Sequence, residues 1–295
     1  MGVHDWTPIA AHHNDFFGRD AVLNKLNHYL ATWELSDPQP LTTTATSHIY
    51  VVTLKDTKVI LKLLTPVGRE EHYGAIALRW FNGQGAVRLL RDDAYAHLLE
   101  YVDGEDLVAL VTKGKDEEAT RIIGDVLNQL HSASNDTLPD GLIPLKRWFR
   151  SLFQRAKKEK SSDSIFVRGA STAEALLASQ TEVRVLHGDI HHENIRHHAQ
   201  RGWLAFDPKG LVGERTYDAA NTLCNPYDMP TLVENEARLL TNAVILSQKL
   251  RIDLTRILSF TFAYVCLSAS WCIDRDHNAT HALRIAEIVE PHVKQ

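Results

Sequence analysis

Apolar residues near the start of the chain recur first at helical and then at strand spacing. Residues 20–34 have the helical period, and the proline-containing segment 37–40 predicts that this helix has ended. A second helix is predicted over residues 69–81. Four β-branched or apolar runs predict strands, at residues 48–54, 59–64, 86–90 and 94–100. The pattern therefore indicates a small antiparallel sheet with one inserted helix before residue 103.

Helical periodicity dominates after Asp103-Gly104. The predicted helices cover residues 117–132, 145–158, 171–179, 232–250, 254–273 and 280–289. The exception is the segment 183–207, where two short apolar runs flank a polar stretch, an arrangement typical of catalytic residues on connecting loops. A chain of 295 residues can form one large domain or two lobes around a cleft. The change in pattern predicts an N-terminal lobe of residues 1–103 and a C-terminal lobe of residues 104–295.

The composition narrows the class of protein and the partners. With 44% hydrophobic and 23% charged residues, the chain resembles an ordinary soluble globular protein. Its formal net charge of -5 argues against nucleic acid as a partner and suits a cationic one. The three cysteines form no C-x-x-C pair, and the N-terminus lacks a secretory pattern. We therefore expect a cytoplasmic protein without disulfides.

Two segments raise the question of a membrane. Residues 257–273 carry no charge over 17 positions, just short of the roughly 20 that span a bilayer. Serine and threonine interrupt this run, so a buried core helix is predicted instead. Residues 146–160 mix basic and aromatic side chains, which leaves a membrane or nucleic-acid surface as an alternative. A helix that packs its aromatic side on the core and solvates its charges is the predicted form.

The polar stretch carries the residue types that phosphoryl transfer requires. Asp189 and Asn194 are five positions apart, the interval of the Asp and Asn in the kinase catalytic loop H-R-D-x-x-x-x-N. Asp207 follows at the end of an apolar run, where a strand can bring its carboxylate to the same metal. We predict that Asp189 is the base for the acceptor hydroxyl and that Asn194 and Asp207 bind Mg²⁺. His187 is expected to support the loop rather than to act as the base.

Lys62 lies in the middle of the apolar strand predicted over residues 59–64. An ammonium group in this position is costly unless it meets a partner. A kinase lysine that contacts the α- and β-phosphates and pairs with a helix glutamate gives the reason for it. Glu71 is the preferred partner, and Glu70 is the alternative.

Further nucleotide contacts are predicted at two ends of the small sheet. Backbone groups near Glu100 and Val102 follow the last strand, where a kinase has the hinge that meets the adenine edge. The segment 41–47 precedes the hairpin but lacks the glycines of a phosphate-binding loop. Hydroxyl groups, Ser47 among them, are expected to contact the phosphates instead.

These motifs together resemble the aminoglycoside phosphotransferase superfamily, and within it the aminoglycoside/hydroxyurea antibiotic-resistance kinases, which include streptomycin 6-kinases. The resemblance rests on His187-Gly188-Asp189-x-x-x-x-Asn194, Asp207-Pro208-Lys209-Gly210-Leu211-Val212-Gly213-Glu214, Tyr217-Asp218, Trp80-x-x-Gly83-x-Gly85-Ala86-Val87-Arg88-Leu89-Leu90, Leu99-Glu100 and Ser268-Ala269-Ser270-Trp271. It implies an α+β, bilobal protein-kinase-like fold with a small antiparallel-sheet N-lobe and a larger, mostly helical C-lobe. It also implies ATP and Mg²⁺ as cofactors and the phosphorylation of a small-molecule hydroxyl.

The acceptor is the least determined part of this interpretation. His192 and Glu193 are candidates for the acceptor pocket, although a solvated loop explains them nearly as well. Glu214 and Asp218 would add negative charge for a guanidinium or amine, and Asp218 as a helix cap is the alternative. The five histidines between 187 and 198 lack the H-E-x-x-H order, so zinc is not expected. A choline or amino-sugar kinase and a non-catalytic nucleotide-binding pseudokinase remain the rival functions.

Overall fold

A computed structural model describes residues 16–133 and 137–293, without the side chains of residues 16–19 and 69. The N-terminal pattern from which we expected no secretory signal lies outside these residues. The first elements are α1 (Phe16–Thr32), β1 (Leu35–Thr43), β2 (Ser47–Leu54), β3 (Thr57–Leu64), α2 (Glu71–Phe81), β4 (Leu89–Asp92) and β5 (Ala96–Glu100). The strands form one antiparallel sheet in the order β1-β2-β3-β5-β4. The predicted small sheet with an inserted helix is confirmed.

The edge strand β1 was missed because it contains Pro38 and Pro40. Both residues were interpreted as a break, but they lie in a strand that, within residues 16–133 and 137–293, pairs with β2 alone. Proline has no N–H to donate, and an edge strand tolerates this loss on its unpaired side. The pairing shifts register between Ser36 and Gln39 and again between Pro40 and Thr42, which accommodates the two prolines. The predicted strand over 86–90 also starts later, since Ala86 forms a bridge with Ala205 instead.

The second half of the chain is mostly helical, as predicted. Its helices are α3 (Val108–Thr112), α4 (Asp116–Ser132), α5 (Leu145–Trp148), α6 (Arg150–Ala156), α7 (Ile165–Ala178), α8 (Thr216–Thr222), α9 (Pro230–Val233), α10 (Glu236–Leu250), α11 (Leu254–Asp274) and α12 (Thr280–Val289). The strands β6 (Ile143–Pro144), β10 (Leu211–Glu214) and β7 (Val183–Leu186) form a small sheet, and β8 (Ile195–His198) pairs with β9 (Gly202–Ala205). These short strands surround the predicted catalytic segment.

Helix boundaries differ from the prediction where a local residue interrupts or extends the pattern. The helix predicted over 232–250 is two helices, because Asn235 is extended and its side chain caps α10 by accepting from Arg238 N. Helix α7 starts at Ile165 rather than at 171. Gly169 weakens the helical signal there, but a Cβ at this position would lie 2.6 Å from Cys266 Sγ. Close packing of α7 on α11 therefore requires this glycine.

The apolar core has two parts. The smaller one lies between α1 and the sheet, and includes Leu61 and Leu63 of β3. The larger one fills the helical region and also takes in Leu78 and Phe81 of α2. The lobe boundary at residue 103 stays a prediction, since α2 lies before it and packs into the larger core.

The two segments that suggested a membrane both bury their apolar side. Helix α11 is long and apolar enough to cross a membrane, but most of it is buried against α7, α8 and α12. Phe149 and Leu152 of the basic segment are fully buried, whereas Lys146 and Arg150 are exposed. Both segments therefore take the predicted form of core-packed helices.

Candidate active site

The predicted catalytic loop runs from the end of β7 to the start of β8. A single 3₁₀ turn ends it, and the β8–β9 hairpin leads on to Asp207. Gly188 has φ +82°, and a Cβ there would lie 2.6 Å from Leu211 Cγ, so no other residue fits without displacement. Asp207 has φ 61°, an uncommon conformation for a residue other than glycine. Such a conformation persists only where surrounding contacts hold it, which is typical of functional sites.

Asp218 fixes the backbone at the start of this loop. Its carboxylate accepts hydrogen bonds from His187 N (3.0 Å) and Gly188 N (2.8 Å), and it pairs with His131 Nε2 at 2.9 Å. It is fully buried. Asp218 was predicted to contact the acceptor or to cap the following helix, and its side chain does neither. It organises the backbone of the catalytic loop.

His187 joins the two halves of the site. Its Nε2 lies 2.9 Å from the carbonyl oxygen of Phe206, the residue before Asp207, and its Nδ1 accepts from Asp189 N at 3.3 Å. Burial lowers the pKa of His187, which keeps the imidazole neutral with its proton on Nε2. Both ring nitrogens are occupied, so His187 supports the loop.

A continuous chain of alternating charges links the two lobes. Lys62 Nζ lies 2.8 Å from Glu71 Oε2 and also donates to Asp207 Oδ1. Lys209 Nζ lies 3.1 Å from Asp207 Oδ2 and 3.4 Å from Asp189 Oδ2. The structure therefore connects residues from β3, α2 and the catalytic segment that are up to 145 positions apart in sequence. The motif that contains Lys209 gave it no separate role, and its place two positions after Asp207 was the signal that could have identified it.

This charge chain sets the protonation states at its centre. Burial by itself would raise the pKa of Asp207, but the ammonium groups of Lys209 and Lys62 hold it well below its usual range. Burial would lower the pKa of Lys209, but Asp207 and then Asp189 raise it. Asp207 and both lysines are therefore charged at neutral pH.

The residues proposed to bind a metal offer two oxygen donors. Asn194 Nδ2 donates to the carbonyl oxygen of Asp189 at 2.9 Å, and the amide Oδ1 is the oxygen that Asn194 can offer to a metal. Asp207 supplies the carboxylate. Within residues 16–133 and 137–293 no group of three or more His, Cys, Asp or Glu could hold a metal. A carboxylate and an amide oxygen fit Mg²⁺, which binds through few protein ligands and completes its shell with phosphates and water.

Glu100 and Val102, the two predicted adenine contacts, differ in the hydrogen bonds of their backbones. Glu100 N donates to Arg88 O at 2.9 Å, while its carboxylate accepts from Arg88 N and from Arg201 Nη1. In the described parts of the chain, the backbone of Val102 has no hydrogen bond to the protein. Val102 therefore keeps a donor and an acceptor for a ligand, whereas Glu100 fixes the strand that precedes it.

Ser47 is the first residue of β2, directly after the turn that follows β1. Its side chain is fully buried, and its Oγ is 3.1 Å from Thr44 Oγ1. Thr44 Oγ1 also accepts from Ser47 N at 3.1 Å. The predicted phosphate contact of the Ser47 hydroxyl does not fit this position, because the hydroxyl stabilises the turn. Ala45, at the exposed tip, is the residue of this turn that faces solvent.

Of the four predicted acceptor residues, Glu193 alone reaches solvent among the side chains described. About a third of its side chain is exposed, and it accepts from His191 Nδ1 at 2.6 Å. His192 is almost completely buried, so its side chain does not line an open pocket. Burial also lowers the pKa of His192 to about 3, so the imidazole is neutral. Glu214 is buried and paired with Arg256 at 2.5 Å. The assignments of His192 and Glu214 to the acceptor are therefore corrected.

An aromatic group near Asp189 was not predicted as part of the site. Trp148 Nε1 donates to the Tyr217 hydroxyl at 2.6 Å, and the rings of Trp148 and Trp271 meet edge to face at 5.2 Å. Burial, with a contribution from Asp189, raises the pKa of Tyr217 and Tyr264 well above their usual range. Trp148 and Trp271 are partly exposed. They come from helices about 120 positions apart, so only folding could bring them together.

The choice between Glu70 and Glu71 can be tested with a matched pair of variants. Glu70 is exposed, whereas Glu71 is half-buried against Lys62. Glu71→Gln removes a hydrogen-bonded charge worth about 1.5–3 kcal/mol. We expect it to lower kcat/KM for ATP by about 10- to 100-fold, and Glu70→Gln to change it by less than about twofold. Steady-state kinetics on both variants measures this, and equal effects would contradict the pairing.

Fold and site together define a bilobal, protein-kinase-like phosphotransferase, with a small sheet and a helical region that meet at the Lys62–Asp207 ion pair. Residues 32–276 match the family of aminoglycoside/hydroxyurea antibiotic resistance kinases, and the chain belongs to this family. It is therefore an ATP-dependent enzyme that phosphorylates a hydroxyl of an aminoglycoside or a related small molecule.

Known proteins agree with this assignment. The chain is 38% identical to a streptomycin 3''-kinase of Klebsiella pneumoniae, over 82% of this chain and 90% of that protein. It is 31% identical to a streptomycin 6-kinase of Streptomyces griseus, over 86% and 84%. Among solved structures, a thermostable mutant of aminoglycoside phosphotransferase APH(4)-Ia with AMP-PNP and hygromycin B has a TM-score of 0.64. That match has 11% identity and covers 90% of this chain and 97% of the other, so it supports the fold.

Proposed function

We propose that this enzyme transfers the γ-phosphoryl group of ATP to a hydroxyl of streptomycin or a closely related aminoglycoside. The observation that carries the proposal is the series of ion pairs that connects Lys62, Asp207, Lys209 and Asp189. The relatives of this protein include two streptomycin kinases. The complete site argues against a pseudokinase, because each core group of a phosphotransferase is present and placed together. Because the cytoplasm supplies ATP, we propose that the enzyme acts there.

The proposed roles follow from position and charge. Asp189 orients the acceptor hydroxyl and accepts the hydroxyl proton. The backbone carbonyl oxygen of Asp189 accepts a hydrogen bond from Asn194 Nδ2, which holds the two residues of the loop together. Lys62 is anchored by Glu71 and neutralises charge on the phosphates. Asp207 and Asn194 hold Mg²⁺, which would neutralise charge on the ATP phosphates when bound.

The acceptor side combines a carboxylate with aromatic surface. Glu193 is partly exposed, directly precedes Asn194, and can pair with a guanidinium or ammonium group. Trp148 and Trp271 are partly exposed and offer flat surfaces to a sugar ring or to a cation. The net charge of -5 also favours a cationic substrate. These features support streptomycin, which carries guanidinium groups, over the small neutral hydroxyurea.

An acceptor panel tests the proposal. ATP consumption is measured with streptomycin, hydroxyurea, choline and an amino sugar, each in the presence and absence of Mg²⁺. We expect turnover with streptomycin, and NMR of the product then identifies whether the 3''- or the 6-hydroxyl carries phosphate. Turnover with hydroxyurea or choline and none with streptomycin would refute the aminoglycoside assignment. ATP binding without turnover on any acceptor would favour the pseudokinase.

A further inference from the structure

Lys209 occupies a position that the proposed roles leave unexplained. Its ammonium group lies between the carboxylate of the base, Asp189, and that of the metal ligand, Asp207. Its side chain is 15% exposed, so the charge is largely withdrawn from water but still open to the cleft. In phosphoryl transfer the acceptor oxygen and the metal-bound phosphate approach each other, and the moving group lies between base and metal ligand.

The backbone of Lys209 is fixed on two sides. Lys209 N donates to the carbonyl oxygen of His187 at 2.7 Å, which ties it to the catalytic loop. On the other side the following glycine lies against α2, where a Cβ on Gly210 would be 2.0 Å from Tyr73 O. Gly210 also has φ +67°. The side chain therefore starts from a rigid point between the base and the helix that carries Glu71.

The partners of the two lysines show which one can change its contact. Both carboxylate oxygens of Asp207 accept from an ammonium group, Oδ1 from Lys62 and Oδ2 from Lys209. A metal ion bound to either of these oxygens would repel the ammonium group on that oxygen, which favours a shift of that group. Lys62 is held by a second carboxylate outside the reaction, Glu71. The second partner of Lys209 is the base itself, so Lys209 is the lysine that is free to turn to an anion between Asp189 and Asp207.

We propose that Lys209 is a catalytic residue that binds the phosphoryl group as it moves from ATP to the acceptor. The bond between the γ-phosphorus and the β,γ-bridging oxygen breaks, and its electron pair leaves with ADP. The acceptor oxygen forms the new bond to phosphorus, and its proton goes to Asp189. Lys209 keeps its own proton and stabilises the negative charge on the equatorial oxygens. This inference rests on the proposed roles of Asp189, Asn194 and Asp207.

The kinetic test compares Lys209→Met and Lys209→Arg with a matched control, Lys157→Met. Lys157 is exposed and makes no ion pair with any described residue. We expect Lys209→Met to lower kcat at least about 100-fold with less than about fivefold change in KM for ATP, because the contact strengthens in the transition state. Lys209→Arg should recover part of the loss. A Lys209→Met enzyme with kcat within threefold of wild type would overturn the proposal.

A binding test separates contact with the phosphoryl group from a structural role. Calorimetry measures ADP alone and ADP with Mg²⁺ and aluminium fluoride, a planar anion that mimics the group in transfer. We expect Lys209→Met to weaken the aluminium fluoride complex at least about tenfold relative to ADP alone. An equal loss for both ligands would indicate that Lys209 only maintains the site, and the proposal would then be wrong.

A second pair of variants guards against misfolding. Lys209→Met leaves the carboxylates of Asp189 and Asp207 with one counter-ion fewer, which could distort the site. Asp189→Asn removes that repulsion, so Asp189→Asn/Lys209→Met is compared with Asp189→Asn in the same calorimetry. The double variant should show the same selective loss. If wild type itself fails to bind ADP in a Mg²⁺-dependent way, the proposed site is refuted and Lys209 with it, whereas wild-type binding with no selective loss refutes Lys209 alone.

Discussion

Replacing Asp189 with alanine is expected to lower kcat by about 10²–10⁴-fold, the usual contribution of a positioned general base. Asp189 is held by Asn221 Nδ2 at 3.3 Å and lies 3.4 Å from Lys209 Nζ, so its carboxylate has a defined direction. ATP binding should change little, because Lys62 and Asp207 remain in place. Steady-state kinetics gives kcat, and calorimetry with AMP-PNP gives the affinity.

The matched control for Asp189→Ala is Asp125→Ala. Asp125 is exposed on α4, and among the described residues it pairs with Lys249 alone, at 2.6 Å. Its removal should leave kcat within about twofold, since an exposed pair contributes at most about 1 kcal/mol to stability and none to the chemistry. If Asp189→Ala keeps more than a tenth of the wild-type kcat, Asp189 is not the base.

Arg256→Met is expected to destabilise the fold by about 3 kcal/mol, the low end of the range for breaking a buried ion pair. Arg256 donates to both oxygens of Glu214, each at 2.5 Å, and Glu214 is buried. Glu214 also accepts from Thr181 N and the Thr216 hydroxyl, but those neutral donors do not balance its charge. About a quarter of the Arg256 side chain is exposed, which is why the low end of the range applies. Urea unfolding followed by circular dichroism measures the change.

Two further variants make this measurement decisive. Arg121→Met removes an exposed partner of Glu117 and should cost less than about 1 kcal/mol. Glu214→Gln/Arg256→Met removes the uncompensated charge and should recover part of the stability lost in Arg256→Met. A loss below 1 kcal/mol in Arg256→Met, or no recovery in the double variant, would mean that the pair does not stabilise the fold. The same double variant should retain acceptor affinity, because Glu214 is buried and paired within the fold.

The sequence-based site prediction rests on local spacing. Asp189 and Asn194 lie on one loop, so the interval between them already determines that both can face one metal. Lys62 was recognisable because a lone charge in an apolar strand needs a partner, and Glu71 in the next helix was close enough in sequence to be named. By contrast, His187 contacts Asp218 from 31 positions away and Arg256 contacts Glu214 from 42 positions away, and no local pattern encodes these pairs.

Periodicity along the chain was enough to predict the small sheet and the helical second half, and local intervals were enough to propose the catalytic loop and its chemistry. Each of these follows from side-chain periodicity or from intervals of a few residues, which short-range geometry controls. Three features became visible with the folded chain: Lys209 lies between Asp189 and Asp207, Asp218 and Glu214 are buried supports, and Pro38 and Pro40 lie in an edge strand. Those outcomes depend on which distant segments pack together, because burial and long-range ion pairing exist only once the chain has folded.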